Sequence, residues 1–158
     1  MAETIITIDI ATLLKSGIQT AMSGVALPVS QATGEAQTVT YRFDGVRDDS
    51  DTVRESLLLP VIACRVHEGI NHEQAQASRL RDYPVSLVVA THYDDDPFQI
   101  ALYTLAQNVG QYVLGPPTLV MAAATFRRMS LPQPPQRADD GRVQMIAWEC
   151  MVGVYTSA

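Results

Sequence analysis

The feature that most constrains the fold is a change of apolar periodicity in the middle of the chain. The segment VSLVVATHY, residues 85–93, is short, apolar and rich in β-branched residues, which predicts a strand. Soon after it, apolar residues follow a helical stripe made of Phe98, Ala101, Leu102, Leu105, Val109, Tyr112 and Val113. The glycine and two prolines at 115–117 end that helix. A strand followed so closely by an amphipathic helix indicates helices packed with a sheet.

The connection between the strand and the helix has three aspartates and resembles a metal site. Pro97 is favoured at the first helical position, which predicts Asp96 as the helix N-cap. Asp94 and Asp95 place further negative charge beside the positive end of the helix dipole. A hard cation needs several more oxygen ligands, and no EF-hand-like spacing is present. A cation site and a partner contact are the alternatives, and His92 is predicted to lie at or near the surface.

The N-terminal third combines a helix with a long irregular stretch. Apolar residues at spacings of three and four predict a first helix near residues 10–22. Asp9 is its predicted N-cap, and the β-branched stretch 4–8 is predicted to be extended. Residues 27–56 are predicted to form a long excursion with one short extended piece at 38–43. A loop of this length in a compact domain is usually functional or is ordered by a partner.

The middle of the chain predicts a further strand and a polar connection. Residues 57–68, LLLPVIACRVHE, are strand-like. Pro60 suits either an edge position or the first residues of this strand, because proline donates no ladder hydrogen bond. The polar stretch 69–84 has room for a short helical turn around residues 73–80. Residues 118–129 predict the strand that follows the second helix.

The last predicted strand, at residues 142–155, is nearly apolar on both faces. One face carries Ile146, Trp148, Cys150, Val152 and Val154, and we expect it to meet the core. The opposite face carries Met145, Ala147, Glu149 and Met151. A sheet face that meets water normally has more polar residues. We therefore predict that this second face contacts a helix or another subunit.

The last two strands are joined by a proline-rich hairpin connection at residues 130–141. Its Asp140-Gly141 pair suits the return turn. Proline stiffens an exposed loop and reduces the entropy that is lost on docking. The candidate partner contacts in this loop are Leu131, Pro132, Pro134, Pro135 and Arg137. The alternative is a plain surface connection.

Composition bounds the class of protein. The 158 residues fit a single α+β domain over 1–158, with a mostly antiparallel sheet of about four strands and two helices. Charged residues make up only 18%, which favours burial of some exterior against other subunits. The net charge of −6 does not suit binding along a phosphate backbone. No membrane span or signal peptide is predicted, so we expect folding in the cytoplasm.

Residues typical of catalysis are not found at the required spacings. HEGINHE, residues 67–73, differs from the zincin motif because His67 and His72 are five apart and a glycine interrupts the helix. No GxSxG elbow and no glycine-rich phosphate loop occurs. Cys64 and Cys150 lack partners at zinc-site spacing and are predicted to be buried thiols. The prediction is a non-enzyme with no cofactor and no bound metal.

The order of elements resembles the tail terminator (tail completion) proteins of long-tailed bacteriophages and phage-like particles. The resembling parts are the first helix, LLLPVIACRV, YPVSLVVATHYDDDPFQIALYTLAQNV and the closing MIAWECMVGVY. They cover most of the chain after the excursion. The excursion at 27–56 is longer than a minimal member needs, and we expect it to reach a neighbouring subunit or a neck protein.

The resemblance implies a structural virion protein. Members form a ring, typically a hexamer, at the head-proximal end of the tail, where it stops tube polymerisation and forms the head–tail joining surface. The implied partners are further copies of the chain, the tail-tube protein and a neck or connector protein. DNA passes through the lumen without specific binding, and no membrane is involved. The implied location is the virion tail or neck, with assembly in the host cytoplasm.

Three other functions are alternatives. Another neck or tail-tube component, such as a head–tail connector, shares the small α+β fold and the ring symmetry. A small metal-dependent enzyme would use His67, His72 and the aspartates at 94–96, and stoichiometric bound metal would identify it. A soluble adaptor that binds a peptide at a strand edge would be a monomer or a dimer.

Overall fold

The fold is a sheet with two helices packed on one of its faces. A computed structural model of the chain describes residues 3–44, 59–71, 80–114, 124–129, 135–138 and 141–155. The helices are α1 Glu3–Met22 and α2 Ile100–Leu114. The strands are β1 Thr40–Asp44, β2 Val61–Val66, β3 Ile70–Asn71, β4 Leu80–His92, β5 Ala124–Met129, β6 Gln136–Ala138 and β7 Val143–Tyr155. The predicted α+β class, with a mostly antiparallel sheet and two helices, is confirmed.

The main path of the sheet runs β1-β2-β4-β7-β5, five strands where about four were expected. β1 is parallel to β2, and the other neighbours on this path are antiparallel. The short strands β3 and β6 pair with β4 and β7. β4 and β7 pair along their whole length, from Leu80 opposite Tyr155 to His92 opposite Val143. They form the centre of the sheet.

The core lies between the helices and one face of the sheet. α1 contributes Ile10, Leu14, Ile18 and Met22, and α2 contributes Leu102, Leu105, Val109 and Val113. Burial alternates along β7, where Ile146, Trp148, Cys150 and Val152 are buried. The predicted core face of the last strand is therefore confirmed at these positions, while the side chain of Val154 falls outside the described part. In the described chain, neither helix has the length and apolar character needed to span a bilayer.

The first helix begins earlier than predicted. Residues 4–8 belong to α1, and Asp9 lies inside the helix rather than at its N-cap. β-Branched residues favour a strand locally. However, the buried stripe of α1 already includes Thr7 before it continues to Ile10 and Leu14. Packing on the sheet therefore outweighs local strand preference in this segment.

The excursion adds an edge strand to the sheet. Its predicted extended piece corresponds to β1, which joins β2 in parallel register. Residues 45–58 lie outside the described part. Pro60 directly precedes β2 and follows a cis peptide bond. Because β2 lies between β1 and β4, the edge position considered for Pro60 is wrong, and its place at the strand start agrees with the other option.

Two boundaries around β4 and α2 also differ from prediction. β4 begins at Leu80, so the strand predicted at 85–93 extends further toward the N-terminus. The helical turn predicted around 73–80 lies outside the described residues except for Leu80, which is in the strand. Phe98 was assigned to the buried stripe of α2, but it precedes the helix and is 76% exposed.

The two helices approach closely where α1 has a glycine. A Cβ atom added at Gly17 would lie 1.9 Å from the hydroxyl oxygen of Tyr112 on α2 and 2.4 Å from its ring carbon Cζ. A Cβ atom added at Gly110, also on α2, would meet no atom within 4 Å. Gly17 is therefore required by packing, whereas Gly110 is not.

Replacing Gly17 tests this helix contact. We expect Gly17→Ala to lower the free energy of unfolding by about 1–3 kcal/mol, because the Tyr112 ring must move. Gly110→Ala is the matched control and should raise stability by about 0.5–1 kcal/mol. In a Tyr112→Ala background the penalty of Gly17→Ala should disappear. Urea unfolding of the four variants measures both effects, and an equal penalty in both backgrounds would contradict the contact.

Burial keeps the two cysteines protonated. Both thiols are free and buried in the sheet. Burial raises the pKa of Cys150 from 9.0 to about 12. Burial, with smaller effects of Cys150 and Asp44, raises the pKa of Cys64 well above its ordinary value. These observations confirm the prediction of two buried thiols.

The raised pKa of Cys150 predicts a loss of stability in alkali. Below pH 9 the thiol is protonated in both the folded and the unfolded chain, so its contribution to stability is complete. Between pH 9 and about 12 only the unfolded chain releases the proton, so the free energy of unfolding falls with rising pH. The slope per thiol approaches about 1.4 kcal/mol per pH unit. Cys150→Ala should reduce the slope of denaturation free energy against pH over this range, and an unchanged slope would contradict the assignment.

Candidate functional site

One face of the sheet is not covered by either described helix. We call it the open face, and it includes Ala63, Arg65, Ser86, Val88, Met145, Ala147, Glu149 and Met151. The β4–β7 register places Val88 beside Ala147 and Ser86 beside Glu149. The four residues predicted as a subunit contact lie here: Met145, Ala147 and Met151 are partly buried, and Glu149 is exposed. The predicted contact of these four residues with a helix is wrong for α1 and α2, because both helices pack on the other face. The predicted contact with another subunit stays a prediction.

The open face is arranged in cross-strand rows of different polarity. One row runs from Arg42 through Ala63 and Val88 to Ala147 and is apolar over its last three positions. In the row before it, Val61 and Ala90 are buried. The row on the other side consists of Asp44, Arg65, Ser86 and Glu149. The face thus has a neutral band bordered by a charged row.

Side chains at the charged row make polar contacts with neighbouring residues. Arg42 Nε lies 3.2 Å from Asp44 Oδ2 on β1. His67 Nε2 lies 2.8 Å from the hydroxyl oxygen of Ser86. His67 therefore contacts the border of the open face. This contact was not anticipated from the sequence, since His67 was considered only as a metal ligand.

Asp96 is the centre of a buried polar network below the start of α2. Its carboxylate accepts hydrogen bonds from the backbone N–H groups of Ala101 and Leu102, at 2.9 and 3.0 Å. It also accepts one from the Thr91 hydroxyl at 3.0 Å and one from Gln144 Nε2 at 3.2 Å. Asp96, Thr91 and Gln144 are all buried. The carboxylate of Asp96 therefore caps the first turn of α2.

The geometry differs from the predicted N-cap in two respects, because neither the N-cap position of Asp96 nor the helical position of Pro97 is correct. Pro97 is not the first helical residue, because α2 begins at Ile100. The backbone oxygen of Gln99 accepts from Tyr103 N–H at 3.1 Å, so Gln99 occupies the N-cap position. Gln99 has a φ of 59°, the left-handed region that few residues other than glycine adopt. The Asp96 side chain reaches past this turn to cap the helix.

The other two aspartates have separate surroundings. The Ser30 hydroxyl donates to Asp95 Oδ1 at 2.5 Å, and Gln31 N–H donates to the Asp95 carbonyl oxygen. Asp95 thus anchors the irregular segment after α1. Asp94 is exposed, and its N–H donates to His92 Nδ1 at 3.3 Å. His92 is partly buried at the end of β4, as its predicted boundary position requires.

A depression of about 390 Å³ lies beside Asp95. It is lined by Ser30, Thr33, Glu35, Ala36, Gln37, Thr38, Thr40, Leu59, Pro60 and Asp95. Gln37 Nε2 donates to the carbonyl oxygen of Pro28 at 3.0 Å, which holds the side chain of this lining residue. The excursion and the strand–helix turn therefore form one continuous surface.

Only part of the predicted proline-rich contact loop is described. Leu131, Pro132 and Pro134 lie outside the described residues. Pro135 is partly buried, and Arg137 lies on β6, paired with Gln144 of β7. The Arg137 guanidinium carbon stands 4.2 Å from the centroid of the Tyr93 ring, a cation–π contact. Partner binding by this loop stays a prediction.

The candidate metal ligands are not assembled in the described part of the chain. There, no group of three His, Cys, Asp or Glu side chains is placed to hold a metal ion. His72 lies outside the described residues. Comparison with models of known protein families found no match, and comparison with curated proteins found none either.

Removing the Asp96 carboxylate tests the buried network. We expect Asp96→Ala to lower the free energy of unfolding by about 3 kcal/mol, because two helix N–H groups and the Thr91 and Gln144 donors lose their acceptor. Asp94→Ala is the matched control from the same turn and should change stability by less than about 0.5 kcal/mol. Chemical denaturation measures both, and equal effects of the two substitutions would contradict the role of Asp96.

Proposed function

We propose that the protein is a structural subunit of a phage tail or phage-like particle that forms a ring at the head-proximal end. The ring stops polymerisation of the tail tube and provides the head–tail joining surface. The proposal follows the family resemblance of the sequence. The structural observation that carries it is the open face, a nearly neutral band on a sheet whose other face is covered by two helices.

The polarity of the open face supports contact with protein rather than with water. Ala63, Val88 and Ala147 stand side by side with no charged residue among them. Burial of apolar area against another subunit contributes roughly 25 cal/mol per Å² before the costs of association. A chain with only 18% charged residues has less polar surface to give to solvent than most. Repeated burial in a ring accounts for both features.

The charge of the chain supports a lumen through which DNA moves freely. With a net charge of −6, each subunit repels rather than retains a phosphate backbone on average. The excursion at 27–56 and the proline-rich loop at 130–141 are our candidates for contacts with the tail-tube protein and a neck protein. No catalytic step is part of this proposal.

Oligomeric state and tube length test the proposal. We expect closed rings by light scattering on a sizing column and by negative-stain imaging, with a hexamer favoured. Ala147→Glu should weaken assembly at least about tenfold, because it places a charge in the neutral band. Gln31→Glu adds the same charge at an exposed loop position and serves as the matched control.

Addition of the ring to polymerising tail-tube protein distinguishes the closest alternatives. A terminator stops tube growth at substoichiometric amounts and caps one tube end. A tail-tube component extends the tube instead, and a connector forms rings without stopping growth. Unlimited tubes in the presence of the rings would contradict the terminator role.

A further inference from the structure

The start of α2 exposes an unusual set of apolar side chains. Phe98 is 76% exposed, Ile100 is 55% exposed and Tyr103 is 51% exposed. We call these three residues the α2 knob. Large apolar side chains exposed together within one turn and its flanking residues mark a binding surface more often than scattered ones do. The knob was not anticipated, because Phe98 was assigned to the core stripe.

The backbone that presents the knob is held in a costly conformation. Gln99, between Phe98 and Ile100, is the one residue other than glycine with a positive φ in the described chain. The turn is fixed by the hydrogen bond from Gln99 N–H to the Asp96 carbonyl oxygen at 3.1 Å and by the Asp96 cap. Strained residues persist where the surroundings over-determine them, and they concentrate at functional sites. Here the strained residue lies between two exposed apolar side chains.

The helix behind the knob is suited to burial against a neutral surface. α2 contains no charged residue. The Thr104 hydroxyl donates to the carbonyl oxygen of Ile100, and the Asn108 side chain donates to that of Thr104, each at 2.8 Å. These polar groups already have partners, so their loss of water on docking costs little. A charged partner surface would find no counter-charge on α2 and would pay for its lost hydration.

The same chain has a matching surface on the opposite side. α2 turns Ala101, Leu102 and Leu105 to the core, so Ile100 and Tyr103 point away from the sheet. The open face looks the other way, and its neutral band consists of Ala63, Val88 and Ala147, which we call the alanine trough. Large side chains on one side and small ones on the other are complementary in size, and neither set is charged. Surfaces that match but face in opposite directions produce head-to-tail contacts, which close into rings or continue as filaments.

We propose that the α2 knob of one copy packs into the alanine trough of the next copy. This inference rests on the proposed ring function and names the two sides of its subunit contact. Phe and Tyr each bury on the order of 150–250 Å² in a contact, so the knob supplies the kind of apolar centre that interfaces of about 800 Å² per partner contain. The charged row with Arg65 and Glu149 then lies at the rim, where water remains.

Two single variants and their mixture test this contact. Phe98→Ser removes the knob at an exposed position, and Ala147→Lys fills the trough. Each variant should be monomeric at concentrations where the wild-type chain assembles, with a dissociation constant raised at least about tenfold. An equimolar mixture should form a heterodimer, because the knob of the Ala147→Lys chain still meets the trough of the Phe98→Ser chain. Light scattering and native mass spectrometry measure these states.

Control variants distinguish the loss of this contact from the loss of nonspecific apolar association and from misfolding. Val29→Ser removes another exposed apolar residue, 51% exposed, and should leave assembly unchanged. Ala63→Lys blocks the trough from β2 and should reproduce the effect of Ala147→Lys. Circular dichroism and thermal unfolding verify that each variant is folded. A folded Phe98→Ser chain that assembles like wild type overturns the proposal, as does a mixture that remains monomeric.

The outcomes distinguish this contact from the ring function. Closed wild-type rings that survive Phe98→Ser and both trough variants overturn the knob–trough contact and leave the ring function standing. Open filaments or dimers that require both patches support the contact and overturn the ring function. A wild-type chain that stays monomeric at millimolar concentration overturns the contact.

Discussion

The pairing of β4 with β7 is the constraint on which the rest of the structure depends. These two strands form the longest ladder of the sheet, and their register decides which side chains face the helices. A shift of one residue would turn Trp148 and Ile146 outward and bring Glu149 into the core. The register also places Thr91 directly opposite Gln144. Both side chains then lie below α2, where they hold the carboxylate of Asp96.

That carboxylate connects the sheet to the outer surface of the helix layer. By accepting from Ala101 and Leu102, Asp96 fixes the start of α2 at Ile100, four residues further along the chain. The turn between Asp96 and the start of α2 includes Gln99, which has a positive φ, and it leaves Phe98 exposed to solvent. The presentation of the knob is therefore a consequence of buried hydrogen bonds in the core-facing layer. A change in the network would alter the surface without touching any exposed residue.

Much of the fold was predictable because periodicity reports burial. The alternation in β7 and the stripe in α2 identified their core faces, since each repeats over several turns or residue pairs. The prediction of an extended conformation for residues 4–8 was wrong. Their local strand preference is outweighed by contacts with a sheet whose strands are distant in the sequence. The predicted start of α2 was wrong because it relied on the preference of proline for the first helical position. In the structure the helix start depends on the side chain of Asp96 and on the left-handed conformation of Gln99. The parallel addition of β1 has no local signal, because it depends on a long connection.

The open face was anticipated from one strand, but its composition depends on three. The strand β7 contributes one column of this surface, made of Met145, Ala147 and Met151. The sequence alone does not tell which residues of β2 and β4 lie beside them. The register supplies Ala63 and Val88 and separates them from the charged row of Arg65 and Glu149. A neutral centre with a charged border is the usual anatomy of a subunit contact. Because both helices occupy the other face, this contact and one made by the outer side of α2 can form at the same time in one molecule. That geometry lets a single chain extend an assembly in two directions, whereas a chain with only one binding surface cannot do so.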